Sequence, residues 1–478
     1  MNYTLIGFIL YLVAVLFLGF IAYRLNKSHS DFFLAGRKLS PWLVAFSERA
    51  SGESAWLLLG LPGAAFALGL IESWTALGCV SGIIFSWFII ARDLREQTEK
   101  HDAITLPNFI ANKFGGDARL LRVVSTLIVI FFFTFYLAAQ FNGAGKVLFV
   151  TFGIPHFWGL AIGGVIIILY TMMGGFFAVV WTDFIQGIIM VGALIIIPIV
   201  GLIELSEQGI SLGAALSGAG DKVSSFSGGE TGWAAAALII GGLSWGFGYM
   251  GQPHLVARFM AIKDPQKIKI GRRVAITWAI PAFAGAMIIG LLGLAIYGQG
   301  HFTDVEQIMP ALANDLLPAW LAGIFISGAI AAMMSTADSQ LLVISSSVIE
   351  DFYVKTLGKK VSEKRLLFLS RMITLTVGVI GFTIAATSEE LIFTLVSYAW
   401  AGLGSSFGPA LLLSLKWKKT TKQGVLAGML TGAITTIIWQ NIEALDGMIS
   451  VRFSSFIIAF FVIIFVSYAT QNKADKSQ

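Results

Sequence analysis

Cysteine is almost missing from this sequence: Cys79 is the single one in 478 residues. Neither an internal disulfide framework nor a thiolate metal cluster can be built from one sulfur. The five histidines, His29, His101, His156, His254 and His301, are scattered without ligand spacing, so no transition metal and no cofactor are expected. Charge is also scarce. Asp, Glu, Lys and Arg together make up 12% of the chain, against roughly 25% in soluble domains. No polar segment exceeds about 30 residues, which leaves no room for the nucleotide-binding domain of an ATP-driven pump. The stretch G-A-G-K at 143–146 lacks the upstream glycine of a phosphate-binding loop. The few polar residues after about 470 cannot form a signalling domain.

What is present is apolar. Hydrophobic residues account for 56% of the chain and aromatics for 13%, and the mean hydropathy is +0.82. The composition describes an all-α integral membrane protein with the lipid bilayer as its surroundings. About thirteen runs are long enough to cross roughly 30 Å of hydrocarbon: 3–23, 42–69, 72–91, 123–151, 156–176, 183–204, 232–256, 274–298, 318–348, 367–386, 390–415, 424–441 and 452–470. Lipid offers no partner to an unpaired backbone group, so each should be helical. The first is not expected to be a cleavable signal peptide, because Arg24 and Lys27 follow it and no small-residue cleavage pattern ends it.

Alternate connections hold 28 of the 32 Lys and Arg; the remaining four are Arg49, Lys146, Lys222 and Arg452, and the opposite connections are almost bare. Basic loops stay cytoplasmic, which predicts a multi-pass cell-membrane protein with its N-terminus outside and its C-terminus inside. Orientation accounts for the net charge of +5, so neither nucleic acid nor an obligate protein partner is implied.

Two spans are interrupted. The second is expected to break at Ala50-Ser51-Gly52, and the seventh carries five glycines and a proline between 241 and 253. Broken helices at corresponding positions of two halves point to a transporter site, where freed carbonyls can hold a cation. Spans two to six (42–204) and seven to eleven (232–423) then form two inverted repeats, joined by an outer loop, 205–231. Residues 1–41, with the first span, and 424–478, with the last two, are peripheral.

Several long stretches carry a resemblance: L-L-L-G-L-P-G-A at 57–64, Y-T-M-M-G-G-F-F-A-V-V-W-T-D at 170–183, G-Y-M-G-Q-P-H-L-V-A-R-F-M at 248–260, A-A-M-M-S-T-A-D-S-Q-L-L-V at 331–343 and V-S-Y-A-W-A-G-L-G-S-S-F-G-P at 396–409. The chain resembles the sodium/solute symporter family, its proline-carrying members above all. The resemblance implies a LeuT-like five-plus-five inverted repeat and sodium-coupled uptake of a small amino acid, proline favoured, by alternating access. It also implies a sodium site made by the carbonyls of Ala50, Glu53 and Ala332 with the hydroxyls of Ser335 and Thr336. Oxygen ligands suit a hard cation, although a Ser-Thr pair in a membrane helix also serves interhelical hydrogen bonding. The matching substrate positions are Trp56, Tyr136, Trp245, Tyr249, Gln252 and Pro253, with Ser54 available to a carboxylate. Aromatic faces would cover a proline ring and attract its ammonium. Asp183 and Asp338 are carboxylates at membrane depth, functional candidates by default. The resemblance places Asp183 on the inner sodium path, while its position beside Thr182 at the entry of the sixth span also suits an N-cap.

The sequence departs from the family at the second span. Glu48-Arg49 stands where small residues are expected, and Gly52-Glu53 where the pattern reads Asp-Met. A buried charge in a bilayer costs on the order of 3 kcal/mol unless paired, so an Arg49–Glu53 salt bridge is predicted, with Glu48 facing a water-filled vestibule or protonated. Three consequences stay open: Glu53 replaces the aspartate and sodium coupling survives; Glu48 or Glu53 carries a proton, so that protons drive uptake alone or with sodium; or another small solute is carried. A channel lacks a filter-like ring, and a membrane enzyme would need a catalytic constellation that the sequence does not show.

Overall fold

The computed structural model describes residues 5–14, 17, 34–115, 117–359, 361–388 and 390–474. Much of the first candidate span, the basic connection up to residue 33, and the tail beyond 474 lie outside the described residues.

Among the described residues, seven helices are long and apolar enough to cross a membrane, or eight if a bent pair counts as one span. The fourth (Arg119–Phe152), sixth (Gly175–Glu207), eighth (Pro265–Tyr297), ninth (Ala319–Thr356) and tenth (Glu363–Thr387) candidates are each such a helix. The second and third run through one helical stretch, Pro41–Lys100, turned at Gly69, where φ is 74°. His156–Met172 is shorter. Ile392–Lys416 and Lys422–Gln440 are fully helical but fall below that hydropathy, diluted by Gly, Ser and Trp in the first and by Gly, Thr and Gln in the second. The last span begins at Val451.

The second span breaks later than its sequence suggests. Ala50, Ser51 and Gly52 are regular helix, and the non-helical residue is Ser54, with φ 48° and ψ −168°. Arg49 and Glu53, one turn apart, bridge across the expected break and hold the helix closed there. Gly52 is small for another reason: a Cβ would meet Leu255 Cδ2 at 3.2 Å. The strained backbone at Ser54 is held by its own hydroxyl, which accepts from Trp56 N–H at 3.1 Å and from Tyr136 Oη at 3.4 Å.

The seventh span breaks as expected. Gly232–Gly248 and Pro253–Ala261 meet at 41°, and Pro253 opens the second piece, where a missing N–H costs no helical bond. The first piece and the gap after it are each gripped at backbone distance. A Cβ on Gly82 would lie 2.3 Å from the Gly246 carbonyl, and one on Gly251 would lie 2.4 Å from Gly408 N. Both broken spans therefore sit at the centre of the bundle, with the eleventh helix pressed on the gap of the seventh.

Candidate functional site

The second and ninth spans meet through oxygen atoms. Ser335 Oγ donates to the Ala50 carbonyl at 3.0 Å and to the Ala332 carbonyl at 3.0 Å. Thr336 Oγ1 donates to the Ser51 carbonyl at 2.9 Å. All five residues are fully buried. Four of the five predicted cation positions, Ala50, Ala332, Ser335 and Thr336, thus converge, and Ser51 joins them. Ser51, missed in the sequence, enters twice: its carbonyl accepts from Thr336, and its hydroxyl donates to the Ser335 carbonyl at 2.9 Å. Each hydroxyl keeps acceptor lone pairs, so three carbonyls and two hydroxyls present a hard, neutral oxygen set that suits a monovalent cation. Glu53 is directed elsewhere: its carbonyl accepts from Trp56 N–H, and its carboxylate turns to Arg49 and Tyr249.

Beside this cluster, the break at Ser54 opens onto an aromatic box. Trp56 and Trp245 lie with ring centroids 4.7 Å apart, and Phe393 approaches Trp245 to 5.3 Å. Trp400 meets Tyr249 at 4.7 Å, Trp245 at 6.3 Å and Tyr136 at 6.4 Å. The sequence-predicted Trp56, Tyr136, Trp245 and Tyr249 come together; Phe393 and Trp400 of the eleventh span were missed, although Trp400 stands inside the quoted stretch 396–409. Gln252 donates to the Trp400 carbonyl at 3.1 Å, while Pro253 serves as the start of a helix. The Nε1 of Trp56, the Nε1 of Trp245 and the Oε1 of Gln252 are buried without hydrogen-bond partners. Leaving such a group unpaired costs about 1–3 kcal/mol, which favours a ligand that brings its own acceptor and donor.

Glu48, Arg49 and Glu53 form one buried ionic cluster. The Arg49 guanidinium donates to Glu53 Oε1 at 2.5 Å and forks onto both carboxylate oxygens of Glu48. Trp87 Nε1 donates to Glu48 Oε2 at 3.1 Å, and Tyr249 Oη to Glu53 Oε2 at 3.0 Å. The predicted Arg49–Glu53 bridge is present. Glu48 does not face a vestibule: it is buried against Arg49, because the planar guanidinium has donors enough for two carboxylates.

A second cluster lies toward the basic end of the bundle. Asp183 Oδ2 accepts from Arg258 Nη2 at 2.9 Å, Ser47 Oγ at 2.6 Å and Ser51 Oγ at 3.0 Å. The helix of the sixth span starts at Gly175, where φ is 63°, so Asp183 stands two turns inside it and is no N-cap. Asp338 accepts from Ser339 Oγ at 3.1 Å and keeps Oδ2 unpartnered. Arg258 was counted in the sequence as an orienting charge, yet it is buried, with Ser47, Ser51 and Ser339 hydroxyls on its guanidinium.

The model of the sodium:solute symporter family matches residues 32–432. The high-affinity proline transporter PutP of Bacillus subtilis is 41% identical over 460 residues, 96% of each chain. The sodium/proline symporter of Escherichia coli is 39% identical over 444 residues, 91% of this chain and 88% of that one. Among solved structures, the substrate-bound, outward-open Na+-coupled sialic acid symporter superposes with a TM-score of 0.77 at 18% identity, covering 97% of this chain and 98% of that one. MhsT in complex with L-phenylalanine gives 0.54 at 16% identity, covering 89% and 98%. These two carry the LeuT-like architecture and fix the fold.

Proposed function

The chain belongs to the sodium:solute symporter family, and from that premise we propose that it carries L-proline, or a closely similar small amino acid, into the cell together with sodium. It is a transporter and not an enzyme. The observation that supports the substrate is the 39–41% identity, over nine-tenths or more of the chain, to two bacterial proline transporters. A box of aromatic rings with unpaired indole donors suits a compact ring bearing a carboxylate and an ammonium.

Sodium is the co-transported ion. It would be held where the carbonyls of Ala50, Ser51 and Ala332 face the hydroxyls of Ser335 and Thr336. Bridging two spans in this way, it would favour the arrangement that completes the aromatic box. The substrate carboxylate would take the indole N–H groups of Trp56 and Trp245, and its ammonium the ring faces and the carboxylate side of the Glu53–Tyr249 pair. Alternating access then opens the opposite side, with Asp183 and Asp338 on the exit path. The basic connections, which favour the cytoplasmic side, support an inward exit there. One positive charge moving inward across 100 mV contributes about 2.3 kcal/mol of driving force.

Proton coupling through Glu48 or Glu53 is the second reading. It is less favoured because both carboxylates are engaged by Arg49, Trp87 and Tyr249. Radiolabelled proline uptake into proteoliposomes separates the two, with an inward sodium gradient compared with an inward proton gradient at matched membrane potential. Accumulation with sodium alone is expected. Accumulation with protons alone would assign the coupling to a glutamate, and no accumulation under either gradient would overturn proline as the substrate.

A further inference from the structure

One charged pair at the other end of the bundle has no place in the transport site just described. Above the aromatic box lies a cavity of about 920 Å³, at the end opposite the basic connections, lined by the turn after the second span, the start of the seventh, the start of the eleventh and the loop before the last. Its size is in the range of small-molecule sites.

Two of its lining groups stand out. Arg452 sits in the first turn of the last span, outside both repeats, and its guanidinium lies over the Trp245 ring, 4.6 Å from the centroid. It donates to the Ser397 hydroxyl and, at 3.2 Å, to the Gly241 carbonyl. Both acceptors are neutral, and Arg452 Nε is buried with no partner. Glu72, in the turn after the second span, is also buried and leaves Oε2 without a partner. The other charges on the cavity are Lys222, Glu230 and Asp446, and Asp446 already accepts from the Val451 N–H at 3.0 Å. No ion pair joins Arg452 to Glu72 among the described residues, although both line one cavity. A buried cation and a buried carboxylate, each holding back a hydrogen-bonding atom and neither bonded to the other, match a ligand that carries both signs.

The geometry points to a vestibular binding site for an α-amino acid zwitterion, with Arg452 taking the carboxylate and Glu72 the ammonium, directly above the Trp245 roof of the transport pocket. A guanidinium offers Nε–H and an Nη–H in parallel, which is the geometry that a carboxylate accepts in two bonds. The substrate is thus captured as a whole ion pair before it passes Trp245, and the peripheral last span supplies the capturing cation. The site rests on the reading that this chain transports a small amino acid.

The test is proline uptake into proteoliposomes under a fixed inward sodium gradient. Arg452→Gln is expected to raise the half-saturating proline concentration about tenfold while the maximal rate and the half-saturating sodium concentration stay within twofold. Glu72→Gln is expected to shift it in the same direction. Prolinamide, which has no carboxylate, should inhibit the wild type and Arg452→Gln equally. An unshifted proline half-saturation in Arg452→Gln, with the wild type active, overturns the vestibular site alone, and so does a parallel rise in half-saturating sodium. No uptake by the wild type overturns the transport reading and this site with it. Should Arg452→Gln not fold, Trp233→Cys replaces it, since Trp233 lines the cavity and is 62% exposed while the native Cys79 is buried. Proline without sodium should slow labelling of that cysteine by a membrane-impermeant maleimide several-fold, and unslowed labelling overturns the site.

Discussion

Tyr249 Oη donates to Glu53 Oε2 at 3.0 Å, joining the two broken spans immediately beside their breaks. Through Glu53 the tyrosine is tied to Arg49, and through Arg49 to Glu48. The cluster holds two carboxylates and one guanidinium, all buried.

Removing its single cation is therefore the harshest change. Arg49→Met strands two buried carboxylates and should cost about 3–5 kcal/mol, whereas Glu53→Gln keeps the Arg49–Glu48 pair and should cost about 1–3 kcal/mol. Neutralising both glutamates as well, in Glu48→Gln/Arg49→Met/Glu53→Gln, should recover part of the loss. Unfolding midpoints in detergent give the order, and a triple variant no more stable than Arg49→Met would contradict it.

The oxygen cluster predicts a change in sodium response. Ser335→Ala with Thr336→Ala removes two hydroxyls from between the second and ninth spans. Half-maximal uptake should then need at least several-fold more sodium, with the aromatic box unaltered. Unchanged sodium dependence would remove these hydroxyls from the ion's path.

Trp245 predicts the converse. Its ring packs on Trp56, Phe393 and Trp400, so Trp245→Ala should weaken proline affinity tenfold or more while half-saturating sodium moves little. Equilibrium proline binding, titrated at several sodium concentrations, reads both quantities.

Ser54 predicts a choice between backbone and side chain. At φ 48° a β-branched residue is strained by about 1–3 kcal/mol, so Ser54→Val should lower the melting temperature more than Ser54→Gly. Glycine accepts the backbone but loses the hydroxyl's contacts with Trp56 N and Tyr136 Oη, so it should reduce uptake while leaving the protein folded. Equal melting temperatures for the two variants would show that the backbone there is unstrained.

Much of this was legible in residue order. Two interrupted apolar runs, a Ser-Thr pair, and Arg49 one turn from Glu53 are local patterns, and local patterns fix helices, hydroxyl faces and i,i+4 pairs. What escaped depended on distance in the chain. The break settles at Ser54 because Tyr136, 82 residues away, bonds its hydroxyl. Arg258 reads as one more inner-loop cation until Asp183, 75 residues earlier, is seen to receive it. Phe393 and Trp400 complete the box only once the eleventh helix is laid on the seventh. Glu48 reads as facing water or protonated because sequence spacing shows the pair of Arg49 with Glu53 but not that the same fork of donors reaches the neighbouring residue too.

The backbone contacts of Gly82 with Gly246 and of Gly251 with Gly408 leave no side chains to slide over one another. Parts in such contact resist sliding, which would make the third span, the seventh span up to its bend and the eleventh a single moving block. The joint of the machine must then lie where side chains still separate the helices. The hydroxyl seam between the second and ninth spans is such a place, which would make the proposed ion site also the hinge line that its occupancy stiffens.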